Sequence, residues 1–299
     1  MLNIKKFNVR LSALLVSAVV LFVTVFSLSS SKADAGDLTF KYKVFNATTG
    51  NYLREYSLTV EGNKTRDIIG GTDDRVIDYT KSGVVKLIVK HKNFNLPYIG
   101  SGFVVDDHTI ATAAHMVENR QITSILFFDQ DGNNCMTITD PVEYHYPSDF
   151  VRTGKASYED YALITVKQSL EDYRCFDFGM MTEEFKTKDN NVVSVSGFPG
   201  EVRGNEEANT VNHHELYTGN GVVVGYETEH TGYVDFIKYT ADATGGNSGG
   251  PAYVTEHIND QIYYTVIGIH AGGSTANNAA IAMSPTVLKF LRGNSNKNY

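Results

Sequence analysis

Three side chains could together cleave a carbonyl compound, and each stands in a stretch that suits it to one part of that chemistry. Ser248 lies in "GGNSGGP", residues Gly245 to Pro251, where four glycines surround one hydroxyl. A serine attacking a carbonyl needs an exposed Oγ, and the oxyanion that forms must meet backbone N–H donors with no side chain in the way. The N–H groups of Gly246 and Ser248 are placed to act as such donors. A hydroxyl is a poor nucleophile at neutral pH, so the reading requires a base. His115 in "IATAAHMV" sits among the small residues Ala111, Thr112, Ala113 and Ala114, which leave room for a catalytic neighbour. A third group should orient that base. Asp160 in "YEDYALITV" enters an apolar strand that would carry its carboxylate inward, and Glu159 is the second choice because of its longer side chain and opposite strand parity. Singly, each residue has a plainer explanation: a glycine-rich turn, a buried structural histidine, a strand-entry aspartate.

The elements around these residues are short strands. "VVKLIVK", "GSGFVV", "SILFFD", "YALITV", "NVVSVSGF", "GVVVGYE", "VDFIKYT" and "YYTVIGIH" are rich in Val, Ile, Tyr and Phe and separated by Gly, Asn and Asp. That pattern predicts an all-β sandwich or barrel. Only "SPTVLKFLRG", Ser284 to Gly293, has helical spacing, with Pro285 suited to the first turn and Gly293 to the stop. At the other end, Lys5, Lys6 and Arg10 precede an apolar run from Leu11 to about Leu28 and an "ADA" at Ala33 to Ala35, which predicts a secretory signal over residues 1–35 and a secreted, extracellular protein. A retained anchor is the alternative, against which the run is short and carries Ser12, Ser17 and Thr24. Residues 36–67 have some strand character and end in a polar stretch. They read as a pro-segment, with an extra β-hairpin of the mature protein as the alternative.

Composition excludes several classes. With 26 Lys and Arg against 34 Asp and Glu, the net charge is -8, opposite to a nucleic-acid surface, whose phosphate contacts come from clustered basic residues. The adjacent His213 and His214 lack the spacing of a zinc site, and neither Cys135 nor Cys175 has a metal-ligand pattern beside it. No metal and no cofactor are expected. In an exported chain those two cysteines could form a disulfide, a question that spacing leaves open.

In the order His, Asp, Ser, the blocks "TAAH", "EDYALI" and "GGNSGGP" resemble the chymotrypsin-like serine proteases, most closely the bacterial glutamyl endopeptidase (V8-like) branch. The resemblance runs from about Ile68 to Leu291. It implies two packed six-stranded antiparallel β-barrels and a short C-terminal helix: a first barrel over about 68–180, a second over about 190–282, and the helix over about 284–293, within a protease domain of residues 68–299. It implies a monomeric serine endopeptidase acting on protein or peptide substrates, without stable membrane association once the signal is removed. "IIGG", Ile68 to Gly71, looks like the mature N-terminus of this class, and Asn247 stands where the animal digestive branch carries the aspartate that pairs with that amine. In the V8-like branch the N-terminal amine lies instead near the substrate pocket. The resemblance makes His270 in "VIGIHAGG" the receiver of a substrate glutamate, as an imidazole positively polarised near neutral pH, with Thr244, Gly272 and Gly273 lining the pocket and Ile68 close to it. Asp242 departs from the pattern, since an aspartate at the pocket floor would favour Lys or Arg. Cleavage after Glu is the first reading; cleavage after Lys or Arg, or a non-catalytic secreted binding protein on the same fold, are the alternatives.

Overall fold

The structure, a computed structural model, describes residues 38–46, 51–60, 73–91, 97–141, 143–148, 150, 159–173, 176–182, 193–202, 211–228, 234–273 and 277–294. The signal over 1–35, Ile68 and Cys175 lie outside these residues. Among the described residues eighteen strands and one α-helix follow in order. The N-terminal pair is β1 (Leu38–Phe45) and β2 (Tyr52–Val60). After the short β3 (Val76–Ile77) come β4 (Val84–His91), β5 (Pro97–Asp106), β6 (Thr109–Thr112), β7 (Arg120–Phe128), β8 (Asn134–Ile138), β9 (Glu143–His145) and β10 (Ala162–Thr165). The remainder are β11 (Phe176–Thr182), β12 (Val193–Gly197), β13 (Tyr217–Gly221), β14 (Val223–Glu227), β15 (Phe236–Tyr239), β16 (Pro251–Ile258), β17 (Gln261–Gly273) and β18 (Asn278–Ala282), then α1 (Pro285–Asn294).

Two barrel-like sheets result. The first has seven strands in the order β8-β7-β4-β5-β6-β10-β9, every described pair antiparallel. Its interior is filled by residues such as Leu87, Ile110, Phe127 and Leu170, all fully buried. The second follows the path β14-β15-β18-β17-β16-β12-β13-β3, and β11 adds to β17 in parallel at Phe176 to Phe178. β1 pairs with the other edge of β11, and β2 with β1, which brings this sheet to eleven strands. The all-β, two-barrel reading therefore holds, and the described strands divide as seven and eleven where six and six were expected. β3 and β11 both fall within the expected span of the first barrel yet pair in the second sheet, and residues 38–60 add a hairpin to it. The helix, Pro285–Asn294, lies one residue further along the chain than the expected 284–293. Its Val287, Leu288 and Leu291 face inward, and the Phe290 ring meets Tyr161 of the first barrel edge-on at 5.0 Å.

The sheets are fastened to each other where the site will lie. One apolar cluster holds Phe103 and Leu163 from the first sheet with Tyr253 and Ile269 from the second, and α1 closes it. A second contact sets the Phe128 ring against that of Phe198, tilted by 38° with centroids 5.2 Å apart. The third is polar. Lys86 of β4 is fully buried, and its ammonium donates to the carbonyls of Val211 (2.8 Å) and His213, with the His214 Nδ1 at 3.3 Å. These acceptors satisfy its protons without neutralising its charge, and burial pushes its pKa from 10.5 down to about 8.

Between those two values the unfolded chain binds more protons than the folded one, so Lys86 makes stability rise with pH from about 8 toward 10.5. Replacing it with an isosteric apolar residue, Lys86→Met, is expected to flatten that rise. Urea denaturation of both proteins at several pH values between 7 and 10 measures it, and parallel stability curves would remove the buried charge from the account.

Candidate active site

His115 hangs from a single 3-10 turn, Ala114–Met116, that begins two residues after β6. Asp160 lies two residues before β10, and β6 and β10 are neighbours with Ala162 opposite Thr112, so the sheet itself brings the two side chains together. Asp160 Oδ2 accepts from His115 Nδ1 at 2.7 Å, and its Oδ1 accepts from the backbone N–H of His115 at 2.8 Å. One carboxylate thus holds both ring and main chain. With Nδ1 carrying the proton donated to Asp160, Nε2 is left as the basic nitrogen. The carboxylate that meets His115 in these bonds is that of Asp160.

Ser248 lies in the turn between β15 and β16. Neighbouring bonds determine how that turn sits. The Gly249 N–H donates to the His270 carbonyl and the His270 N–H to the Gly250 carbonyl, each at 2.8 Å. Gly249 has φ of 86°, and a Cβ there would strike Thr112 and Ser101 and come within 2.9 Å of Ala113 N. Only glycine lets the serine turn lie against the strand end that carries His115.

The backbone donors are oriented through peptide planarity. In a trans peptide the C=O and N–H point opposite ways, so fixing one aims the other. The Gly245 carbonyl accepts from Gly200 N–H at 2.6 Å, and the Asn247 carbonyl accepts from Gly250 N–H at 2.9 Å. These bonds turn the N–H groups of Gly246 and Ser248 away from the protein backbone, and among the described residues neither meets a protein acceptor. Gly246, with φ of 104°, has no room for a side chain against Phe198 and Gly200.

Ser101 of β5, fully buried, was not singled out from the sequence, and it is the hub of this arrangement. Its N–H donates to the Ser248 carbonyl (2.9 Å), and its hydroxyl donates to the Gly246 carbonyl (2.7 Å) and accepts from Phe198 N–H (2.9 Å). Its own carbonyl accepts from the Thr112 hydroxyl at 2.8 Å. The only local sign is its place in "GSGF", where flanking glycines permit close approach.

At the pocket residues the structure sharpens some expectations and corrects one. His270 is buried, and its Nδ1 lies 2.6 Å from the Tyr239 hydroxyl. Burial, and secondarily the charge of His115, push its pKa down to about 3, although Asp160 pulls the other way. The imidazole is therefore neutral near pH 7, where the sequence reading made it positively polarised. Tyr239 is fully enclosed with its pKa raised by burial, so it keeps its proton. Among the described residues that proton has Nδ1 as its acceptor, which leaves Nε2–H as a donor.

Thr244 is also engaged. Its hydroxyl donates to the Glu201 carbonyl (2.8 Å) and accepts from Arg75 Nη1 (2.9 Å), while its N–H donates to Asn247 Oδ1 (3.1 Å). Arg75, buried and paired with Asp73 at 2.6 Å, gave no signal in the sequence. Asp242 accepts from the Asp74 N–H, and burial, then Asp73, raise its pKa to about 6 against the opposing pull of Arg75. Gly272 and Gly273 lie on β17 past the end of its pairing with β16, and a Cβ at Gly272 would meet open space. Cys135 is a free, exposed thiol, 3.4 Å from the Tyr173 hydroxyl. Among the described residues no cluster of His, Cys, Asp and Glu is arranged to hold a metal ion, and no helix is long and apolar enough to cross a membrane.

Two barrel-like sheets that meet at a His–Asp pair and a glycine-bracketed serine turn define the class of chymotrypsin-like serine proteases. The chain belongs to the trypsin-like peptidase family: the model of the trypsin-like peptidase domain matches residues 100–257. That span contains His115, Asp160 and Ser248 and ends before His270. Among solved structures, a Glu endopeptidase in complex with MPD matches with a TM-score of 0.55 at 18% identity, over 76% of this chain and 98% of its own. At that identity the likeness is one of fold. An inactivated protease paralogue of the scabies mite matches with a TM-score of 0.48 at 13% identity, over 71% of this chain and 93% of its own. The active form of a protease from M. tuberculosis matches with a TM-score of 0.45 at 16% identity, over 74% and 84%.

Ser101→Ala should lower kcat by about tenfold with little change in KM, because it frees the Gly246 carbonyl without touching substrate; direct loss of one oxyanion donor costs roughly 10²–10³. Steady-state kinetics on a peptide substrate measure this. Unchanged kcat in the folded variant would show that the turn holds without the Ser101 hydroxyl.

Proposed function

We propose that this protein is a secreted serine endopeptidase that hydrolyses peptide bonds through an acyl-enzyme. One observation carries the reading: Asp160 holds His115 by ring and backbone, beside a serine turn whose two N–H groups point out of the protein backbone. Ser248 Oγ attacks the scissile carbonyl carbon as His115 Nε2 takes its proton. The C–O bond forms, and the carbonyl electron pair moves onto the oxygen, which accepts from Gly246 and Ser248 N–H. Collapse breaks the C–N bond, and His115 returns the proton to the leaving amine. Water, deprotonated by the same nitrogen, then attacks the acyl-enzyme and releases the acid and Ser248. Asp160 stays ionised throughout and stabilises the imidazolium. Each oxyanion donor contributes about 2.7–4 kcal/mol to the barrier reduction. Secretion is supported by the charged, apolar and small-residue pattern of residues 1–35, and processing before Ile68 by "IIGG".

The same reading includes a preference for Glu before the cut. Its support is His270, which Tyr239 turns into a neutral Nε2–H donor suited to a carboxylate, together with the free edge of β17 at Gly272 and Gly273. Asp242 already accepts from the Asp74 N–H within the protein, which weakens the case for Lys or Arg.

Ser248→Ala should reduce turnover by at least about 10⁴-fold, and the parent enzyme should be labelled by a fluorophosphonate at Ser248. A folded, processed protein that neither reacts nor cleaves an unfolded protein would overturn the protease reading. A peptide-library digest reads the residue before the cut, and predominant Lys or Arg there would overturn the Glu preference alone. Because Asp242 gains its charge as pH rises through about 6, KM for a Glu-containing peptide should increase across that range, and Asp242→Ser should flatten the increase. A flat KM in the parent enzyme would place Asp242 outside the pocket's field.

A further inference from the structure

The hairpin β1–β2 belongs to the stretch that would be cut away if processing occurs before Ile68, yet it is built into the second sheet. β1 runs antiparallel to β11 over five residue pairs, from Lys41 opposite Thr182 to Phe45 opposite Phe178. Val44 is fully buried in the same core cluster as Val254 and Ile267. β11 in turn lies beside β17, the strand that ends in His270, Gly272 and Gly273.

The firmest attachment is Arg54 of β2. Its Nη1 donates to Asp177 Oδ2 on β11 at 2.8 Å. Its Nη2 donates to Glu256 Oε2 on β16 at 2.7 Å and to the Thr265 hydroxyl on β17 at 3.1 Å. The guanidinium lies over the Tyr263 ring, 4.6 Å from its centroid. Glu256 is completely buried, and among the described residues Arg54 is the one cation paired with it. A buried carboxylate stripped of its cation must either take up a proton or remain charged in a medium that cannot solvate it. A segment meant to be discarded would leave behind an uncompensated Glu256, an exposed Val44 contact and a bare strand edge on β11.

We propose that the outer edge of β11, with Asp177 and Glu256 beneath it, is a docking surface for the chain's own residues 38–60 after the chain is cut, so that the mature protein is a two-chain assembly. The inference rests on the reading that processing occurs before Ile68; retention of the hairpin does not depend on catalysis by Ser248.

The test removes the protein's own activity from the question. In the full chain carrying Ser248→Ala, residues 61–67 are replaced by the recognition sequence of a site-specific protease, and the cut protein is passed over a size-exclusion column. The hairpin fragment should co-elute with the body and separate only in denaturant. Release of the fragment from a body that stays folded would overturn the proposal. Arg54→Leu should release it at least about tenfold faster in exchange against a labelled hairpin peptide. If that variant does not fold, Arg54→Lys, which keeps the charge and loses the fork, should still exchange faster than the parent; exchange as slow as the parent's in the folded variant would overturn the role of Arg54. Retention with failed Ser248 labelling in the unmutated protein would refute the protease reading and leave this one standing.

Discussion

The geometry of the site depends on the buried grip of Ser101. Its three polar groups reach the carbonyls of Ser248 and Gly246, the N–H of Phe198 and the hydroxyl of Thr112, and so tie the serine turn to the strand that leads to His115. Ser248 comes from one sheet and His115 from the other. Apolar contacts such as those of Phe103 and Ile269 hold the sheets together but are tolerant of small slides. Hydrogen bonds are directional, and it is this polar seam that converts two packed sheets into one aligned site.

A single peptide plane shows how little covalent freedom remains. Gly200 holds the Gly245 carbonyl at 2.6 Å, and the attached N–H of Gly246 has no choice of direction. The loop carrying Gly200 follows β12 of the second sheet, while Ser101 is in the first, so both halves of the molecule hold carbonyls of the turn from Gly245 to Ser248. Asp160 works in the same way on His115, fixing main chain and ring at once.

Which parts of this could be read from sequence follows from the range of the interactions involved. Strand patterning is local, so each of the eight apolar runs falls on a strand and the closing helix lies one residue from its expected span, although other strands, β9 and β13 among them, match no such run. His115, Asp160 and Ser248 could be singled out because each sits in a short local motif, small residues before the histidine, an apolar strand after the aspartate and glycines around the serine. Ser101, Arg75 and Tyr239 were not, since their importance comes from partners distant in the chain: Arg75 meets Thr244, and Tyr239 meets His270. The charge of His270 was misread for a related reason. Its ionisation is governed by enclosure, and enclosure is a property of the assembled barrel. The division of strands into seven and eleven likewise reflects long-range pairing, by which β11 and the N-terminal hairpin join the second sheet.

The neutral His270 has a consequence for how acidic peptides would be chosen. A dipolar N–H exerts almost no force beyond contact, and the chain's net charge of -8 repels an acidic partner at a distance. In the glutamyl reading, encounter would therefore be unassisted or mildly opposed by the long-range field. Discrimination would come only after the side chain has entered, when its two oxygens meet a fixed donor inside the barrel. Such a pocket works as a sieve at its floor and gives no advance attraction at its mouth.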